Sequence, residues 1–80
     1  MTYLWQEEKK KPYYRFQTDE KAIADKMKRR NKFKLVGSGM NCPLWIFQTT
    51  FTRPVLAKNT LKVLTGKKPN FDFDEEIFYA

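Results

Sequence analysis

Charged and apolar side chains alternate through Lys32-Phe33-Lys34-Leu35-Val36, which places Phe33 and Leu35 on one face of an extended segment and Lys32 and Lys34 on the other. Leu44 to Phe51 (Leu-Trp-Ile-Phe-Gln-Thr-Thr-Phe) is the strongest strand pattern in the chain. Between the two lies Gly37-Ser38-Gly39-Met40-Asn41, whose glycines and asparagine tolerate positive φ, so an antiparallel hairpin is predicted. An earlier aromatic run, Pro12-Tyr13-Tyr14-Arg15-Phe16-Gln17, reads as a first strand.

Two helices fit between these strands and after them. Thr18 offers an N-cap hydroxyl, Asp19 and Glu20 suit a first turn, Ile23 and Met27 lie four apart, and Lys28-Arg29-Arg30 close the segment. Lys21, Lys28 and Arg29 face away from Ile23 and Met27, with Arg30 near the edge of the apolar stripe. Thr52-Arg53-Pro54 opens a second helix in which Leu56, Ala57, Thr60, Leu61, Val63 and Leu64 cover one arc. Gly66 ends it. Phe71-Asp72-Phe73 then alternates and is compatible with a last strand, although the polar run Asp74 to Glu76 is also compatible with a bend or a partly loose tail.

These elements predict a small single α+β domain over residues 13–80, with a flexible N-terminal segment at 1–12 and an acidic C-terminal segment at 69–80. The order β-α-β-β-α, closed by the final strand, is the ferredoxin-like layout: an antiparallel sheet with two helices on one face and an open face opposite. RNA-recognition-motif domains share that order. Their strand signature wants a cation, a glycine and then alternating aromatics, whereas the corresponding stretch here is Cys42-Pro43-Leu44-Trp45-Ile46-Phe47-Gln48-Thr49. The likeness is one of layout.

Composition removes much chemistry. With 80 residues, no histidine, one cysteine (Cys42) and one serine (Ser38), a single chain cannot build a Ser-His-Asp triad, a Cys-His dyad, a Cys/His zinc site or an internal disulfide. Thr65-Gly66-Lys67-Lys68 lacks the preceding glycine and the Ser/Thr of a phosphate loop. Asp72, Asp74, Glu75 and Glu76 form one acid cluster without a second acid centre or a calcium-loop glycine pattern. The expectation is therefore a protein that is not an enzyme and carries neither metal nor cofactor. No apolar run is long enough for a membrane span or a signal peptide, so the expected compartment is cytoplasmic, meaning host cytoplasm for a viral chain.

Charge supplies a positive indication. Residues 1–68 hold sixteen Lys and Arg against five acids, a net of +11, whereas residues 69–80 hold four acids and no cation. Lys26 to Lys34 is the densest basic run, fit either for a polyanion or for a solvated helix end. Arg15, Lys28, Arg29, Arg30, Lys32 and Lys34 are the candidate phosphate contacts. Tyr14, Trp45 and Phe47 are the candidate base-stacking groups. On that reading Leu44 and Ile46 face the helices. The opposite phase packs Trp45, Phe47 and Phe51 inside and leaves Gln48 and Thr50 outside. The leading expectation is a small nucleic-acid-binding protein, for RNA or single strands rather than duplex DNA. The alternative is a small inhibitor or adaptor of the type phages encode, binding a host or defence protein or nucleoprotein.

Overall fold

A computed structural model describes residues 1–39 and 41–80; Met40, part of the expected turn, lies outside the described residues. The chain forms β1 (Thr2–Gln6), β2 (Tyr13–Thr18), α1 (Lys21–Lys28), β3 (Lys34–Ser38), β4 (Trp45–Thr50), α2 (Pro54–Thr65), β5 (Asn70–Asp72) and β6 (Ile77–Tyr79). All six strands join one antiparallel sheet in the order β3-β4-β2-β1-β6-β5. The α+β class and the antiparallel sheet are as the sequence predicts. The four-stranded ferredoxin-like order is not, because β1 separates β2 from β6 and β5 adds a further edge strand.

Strand phase decides what is buried. Leu4 stands opposite Phe16, and Phe16 opposite Phe47, so these three share one face of the central strands. That face meets Ile23, Ala24 and Met27 of α1 and Ala57, Leu61 and Leu64 of α2 in a single apolar cluster. Both helices therefore cover the same side of the sheet. β2 and β3 each pair antiparallel with β4 and so run parallel to each other, which makes α1 a crossover connection.

The first twelve residues, expected as a flexible segment, form β1 and its connection to β2. β1 pairs on both sides, with β2 and with β6, and Thr2 also exchanges two backbone hydrogen bonds with Ala80, of 2.8 and 2.9 Å. Thr2 and Leu4 point into the core while Tyr3 and Trp5 take the other face. An alternation of small and large apolar groups with large groups on both sides is poorly visible as a strand pattern, and the charged run Glu7 to Lys11 beside it masks it further. That run is the β1–β2 connection, closed by Glu7 N–H to Tyr13 O (3.0 Å) and Gln6 Nε2 to Lys11 O (2.6 Å). The acidic segment is not a loose tail either. It forms the β5–β6 hairpin, with Asp72 Oδ1 accepting the Asp74 and Glu75 N–H groups in the turn.

α1 begins at Lys21, three residues after the expected cap. Thr18 ends β2 instead, and its hydroxyl accepts the Glu20 N–H at 3.1 Å. It also lies 2.9 Å from Thr2 Oγ1, which in turn donates to Glu20 Oε2 at 3.5 Å. Asp19 bonds the Met1 amine at 2.6 Å, and that bond holds its carboxyl below the usual carboxylate range. α2 behaves as its sequence indicates: Pro54 opens it, and Gly66 closes it at φ 69° with its N–H on Lys62 O at 2.8 Å.

Candidate nucleic-acid interface

The sheet face away from the helices is assembled by register. One row across the strands reads Lys34, Gln48, Arg15, Trp5, and the next reads Gly37, Ile46, Gln17, Tyr3, Tyr79, Asn70. Residues in a row are about 4.7–4.9 Å apart by strand spacing, and successive rows about 6.8 Å apart. Tyr3, Trp5 and Tyr79 therefore form an aromatic patch on β1 and β6, with Arg15 and Gln17 immediately beside it on β2. All five are half-buried, as sheet residues are when neighbours crowd them laterally but nothing covers them from above. Tyr13 extends the same face beyond Arg15 and is exposed.

Arg15 is positioned by Glu7, whose Oε1 accepts its Nε–H in a part-buried ion pair. Guanidinium carries five N–H donors. The pair uses one, and among the described residues the terminal nitrogens make no other hydrogen bond. Arg15 is thus oriented but not consumed. The flanking Gln17 and Gln48 side chains bring both donors and acceptors to the same surface.

The expected stacking groups lie elsewhere. Phe47 is only 1% exposed and Tyr14 only 4%, both inside the helix-facing core. Burial raises the Tyr14 phenol above its ordinary pKa, and the ring packs edge-on against Phe51 at 5.8 Å. Trp45 is half-buried on the same face and packs on the core, with Lys28 Nζ 5.9 Å from its ring centre. β4 takes the phase that buries its largest apolar groups and turns Gln48 and Thr50 outward. Phe47 and Tyr14 cannot receive a base without opening the core, and Trp45 lies on the side of the sheet opposite to Arg15 and Lys34.

The expected cations fall into two groups. Lys28 ends α1, Arg29 caps it, and Arg30 and Lys32 occupy the turn that follows, all of them exposed. This turn is anchored by Phe33, whose ring lies 5.0 Å from Phe16 and 6.3 Å from Phe47. Arg15 and Lys34 belong to the open face itself. Lys34, at the start of the edge strand β3, links the two groups.

Tyr3, Trp5, Gln17, Gln48 and Tyr79 were not among the residues singled out from sequence. The signal that could have found them is Thr-Tyr-Leu-Trp-Gln at residues 2–6, a five-residue alternation that pairs on both sides once it is a central strand. Among the described residues no group of three or more His, Cys, Asp or Glu could hold a metal ion, and no helix is long and apolar enough to cross a membrane. No protein-family model, curated protein or solved structure matches the chain.

Proposed function

We propose that this chain binds single-stranded nucleic acid, RNA foremost, on the open face of its sheet. The observation that carries the reading is the row Lys34-Gln48-Arg15-Trp5 lying next to Tyr3 and Tyr79 on a surface that no helix covers. Unpaired bases stack on exposed aromatic rings for about 1–3 kcal/mol each, and cations beside the rings hold the backbone. Two or three bases fit over Tyr3, Trp5 and Tyr79. Arg15 and Lys34 then serve the adjoining phosphates, and Lys28, Arg29, Arg30 and Lys32 carry the strand past the β3 edge.

Shape argues against duplex DNA. A major groove about 12 Å wide admits a helix or a two-stranded ribbon. Six strands at about 4.8 Å spacing present a surface of roughly 24 Å across, too broad for the groove. We read the sheet as a ferredoxin-like unit widened by β1 and β5, which would give it an enlarged open face.

Fluorescence anisotropy with labelled single-stranded RNA, single-stranded DNA and duplex DNA across a salt series tests the proposal. Five or six phosphate contacts give a log–log salt slope of roughly −3.5 to −4.2 for single strands. That slope, with single strands preferred and binding reduced by Trp5→Ala, is the expected result. Equal binding to duplex, or no binding at low salt, would overturn the proposal.

A further inference from the structure

The two edges of the sheet carry opposite charge at one end each: Lys67 and Lys68 precede β5, but its far end is acidic. Lys34 begins the edge strand β3, with Lys32 just before it, while the edge strand β5 ends at Asp72, with Asp74 just after it. Their directions are also fixed. β3 runs parallel to β2, β6 also runs parallel to β2 because both flank β1, and β5 opposes β6. The edges are therefore antiparallel to each other. A second copy shifted sideways brings its β5 alongside β3 in the antiparallel sense, with all helices still on one side.

Register strengthens the match. With Lys34 opposite Asp72 of the second copy, Leu35 falls opposite Phe71 and Val36 opposite Asn70. Lys34 and Asp72 both belong to the open face, since Lys34 stands opposite Gln48, and Asp72 is two residues from Asn70, which stands opposite Tyr79. Leu35 and Phe71 both belong to the helix face, opposite Phe47 and Phe78 respectively. Those two side chains are 45% and 38% exposed in the single chain, a large apolar exposure for edge positions that face a core. Continuing the register sets Lys32 beside Asp74, and Phe73, 83% exposed, beside Phe33.

We infer that this chain associates head to tail with copies of itself, the β3 edge of one pairing with the β5 edge of the next. Two lysine–carboxylate pairs and the Leu35–Phe71 contact favour this pairing. β3 against β3, centred on Val36, sets Lys34 opposite Ser38 and gives the lysines no acid; β5 against β5, centred on Phe71, sets Asp74 opposite Lys68 and would close as a dimer, the rival that the test below excludes. Lysines and short strands ordinarily protect sheet edges from pairing; here each protected edge has a complement on the opposite side of the same molecule. The contact is heterologous, so it does not close at two copies, and sheet twist makes the array helical or ring-like. β5 has three residues and a register shift follows Leu35 in β3, so few backbone bonds form and association is weak, reversible and salt-sensitive.

Sedimentation velocity on nuclease-treated full chain, over a concentration series, is the test; it is independent of nucleic-acid binding. The weight-average sedimentation coefficient is expected to rise with concentration at low salt without levelling at a dimer. It should fall back at about 1 M salt, where the Debye length is roughly 3 Å. Lys32→Glu and Asp74→Lys lie in exposed turns and leave the Asp72 turn bonds in place. Each alone is expected to weaken association at least tenfold, and an equimolar mixture of the two should restore it. A monomer at every concentration, a saturating dimer, or a mixture no better than either variant would overturn the inference.

Discussion

Two threonines on the buried face of the sheet should respond to the same substitution with opposite signs. Thr49 is 2% exposed, and its hydroxyl has no hydrogen-bond partner among the described residues. Thr18 is equally buried, but its hydroxyl accepts the Glu20 N–H and shares a 2.9 Å hydrogen bond with the Thr2 hydroxyl. Valine keeps the branched shape and strand preference of threonine while removing the hydroxyl. At Thr49 the change deletes an unpaired buried hydroxyl, whose burial costs about 1–3 kcal/mol, so stability should rise by about 1 kcal/mol. At Thr18 it leaves the Glu20 amide N–H without its partner and takes from the Thr2 hydroxyl the nearer of its two, a loss of about 1–3 kcal/mol. For a domain of this size each kcal/mol moves Tm by about 4–8 °C. Thermal and urea denaturation followed by circular dichroism measure both variants. A Thr49→Val variant destabilised by about 1 kcal/mol or more, or a neutral Thr18→Val, would refute the accounting of these hydroxyls.

Other consequences concern the core and the connections. Leu61→Ala empties a fully buried site where α2 meets the sheet and should cost about 2–5 kcal/mol, a large part of the stability of an 80-residue chain; urea unfolding reads it directly. Lys10 sits at φ 66° in the β1–β2 connection, where a side chain costs about 1–2 kcal/mol, so Lys10→Gly should raise Tm or leave it unchanged. A fall of several degrees would show that Lys10 makes compensating contacts. Trp45→Ala should lower Tm through lost core packing and leave RNA affinity, measured below the new Tm, nearly unchanged. Loss of affinity in a folded Trp45→Ala variant would return that ring to the interface.

Legibility followed the strength of the local signal. Helix α2 shows its boundaries through Pro54 and Gly66, but its apolar arc is only partly used: Ala57, Leu61 and Leu64 are buried whereas Leu56 and Val63 are exposed. The β3–β4 hairpin shows itself because alternation and turn chemistry agree. β1 does not, because a strand with large side chains on both faces beside five charged or polar residues has the local character of a solvated end. Only pairing with β2 and β6, a long-range fact, makes Tyr3 and Trp5 surface groups and Thr2 and Leu4 core. The phase of β4 was undecided locally because both of its faces carry apolar groups. Phe16 across the sheet and Phe33 from the α1–β3 turn settle it by packing on Phe47. The basic cluster, in contrast, is a property of composition and needed no fold to be seen.

The central claim is that single-stranded nucleic acid would meet the open face, and the two indoles test it. Trp5 lies on the open face and Trp45 packs against the core. Their side-chain N–H resonances in a nitrogen-15-labelled sample report each site independently during titration with a short single-stranded RNA. The expected result is a saturable shift of the Trp5 indole, with Trp45 nearly still. A Trp45 shift with Trp5 unmoved would contradict the open-face account, and so would saturating binding that moves neither.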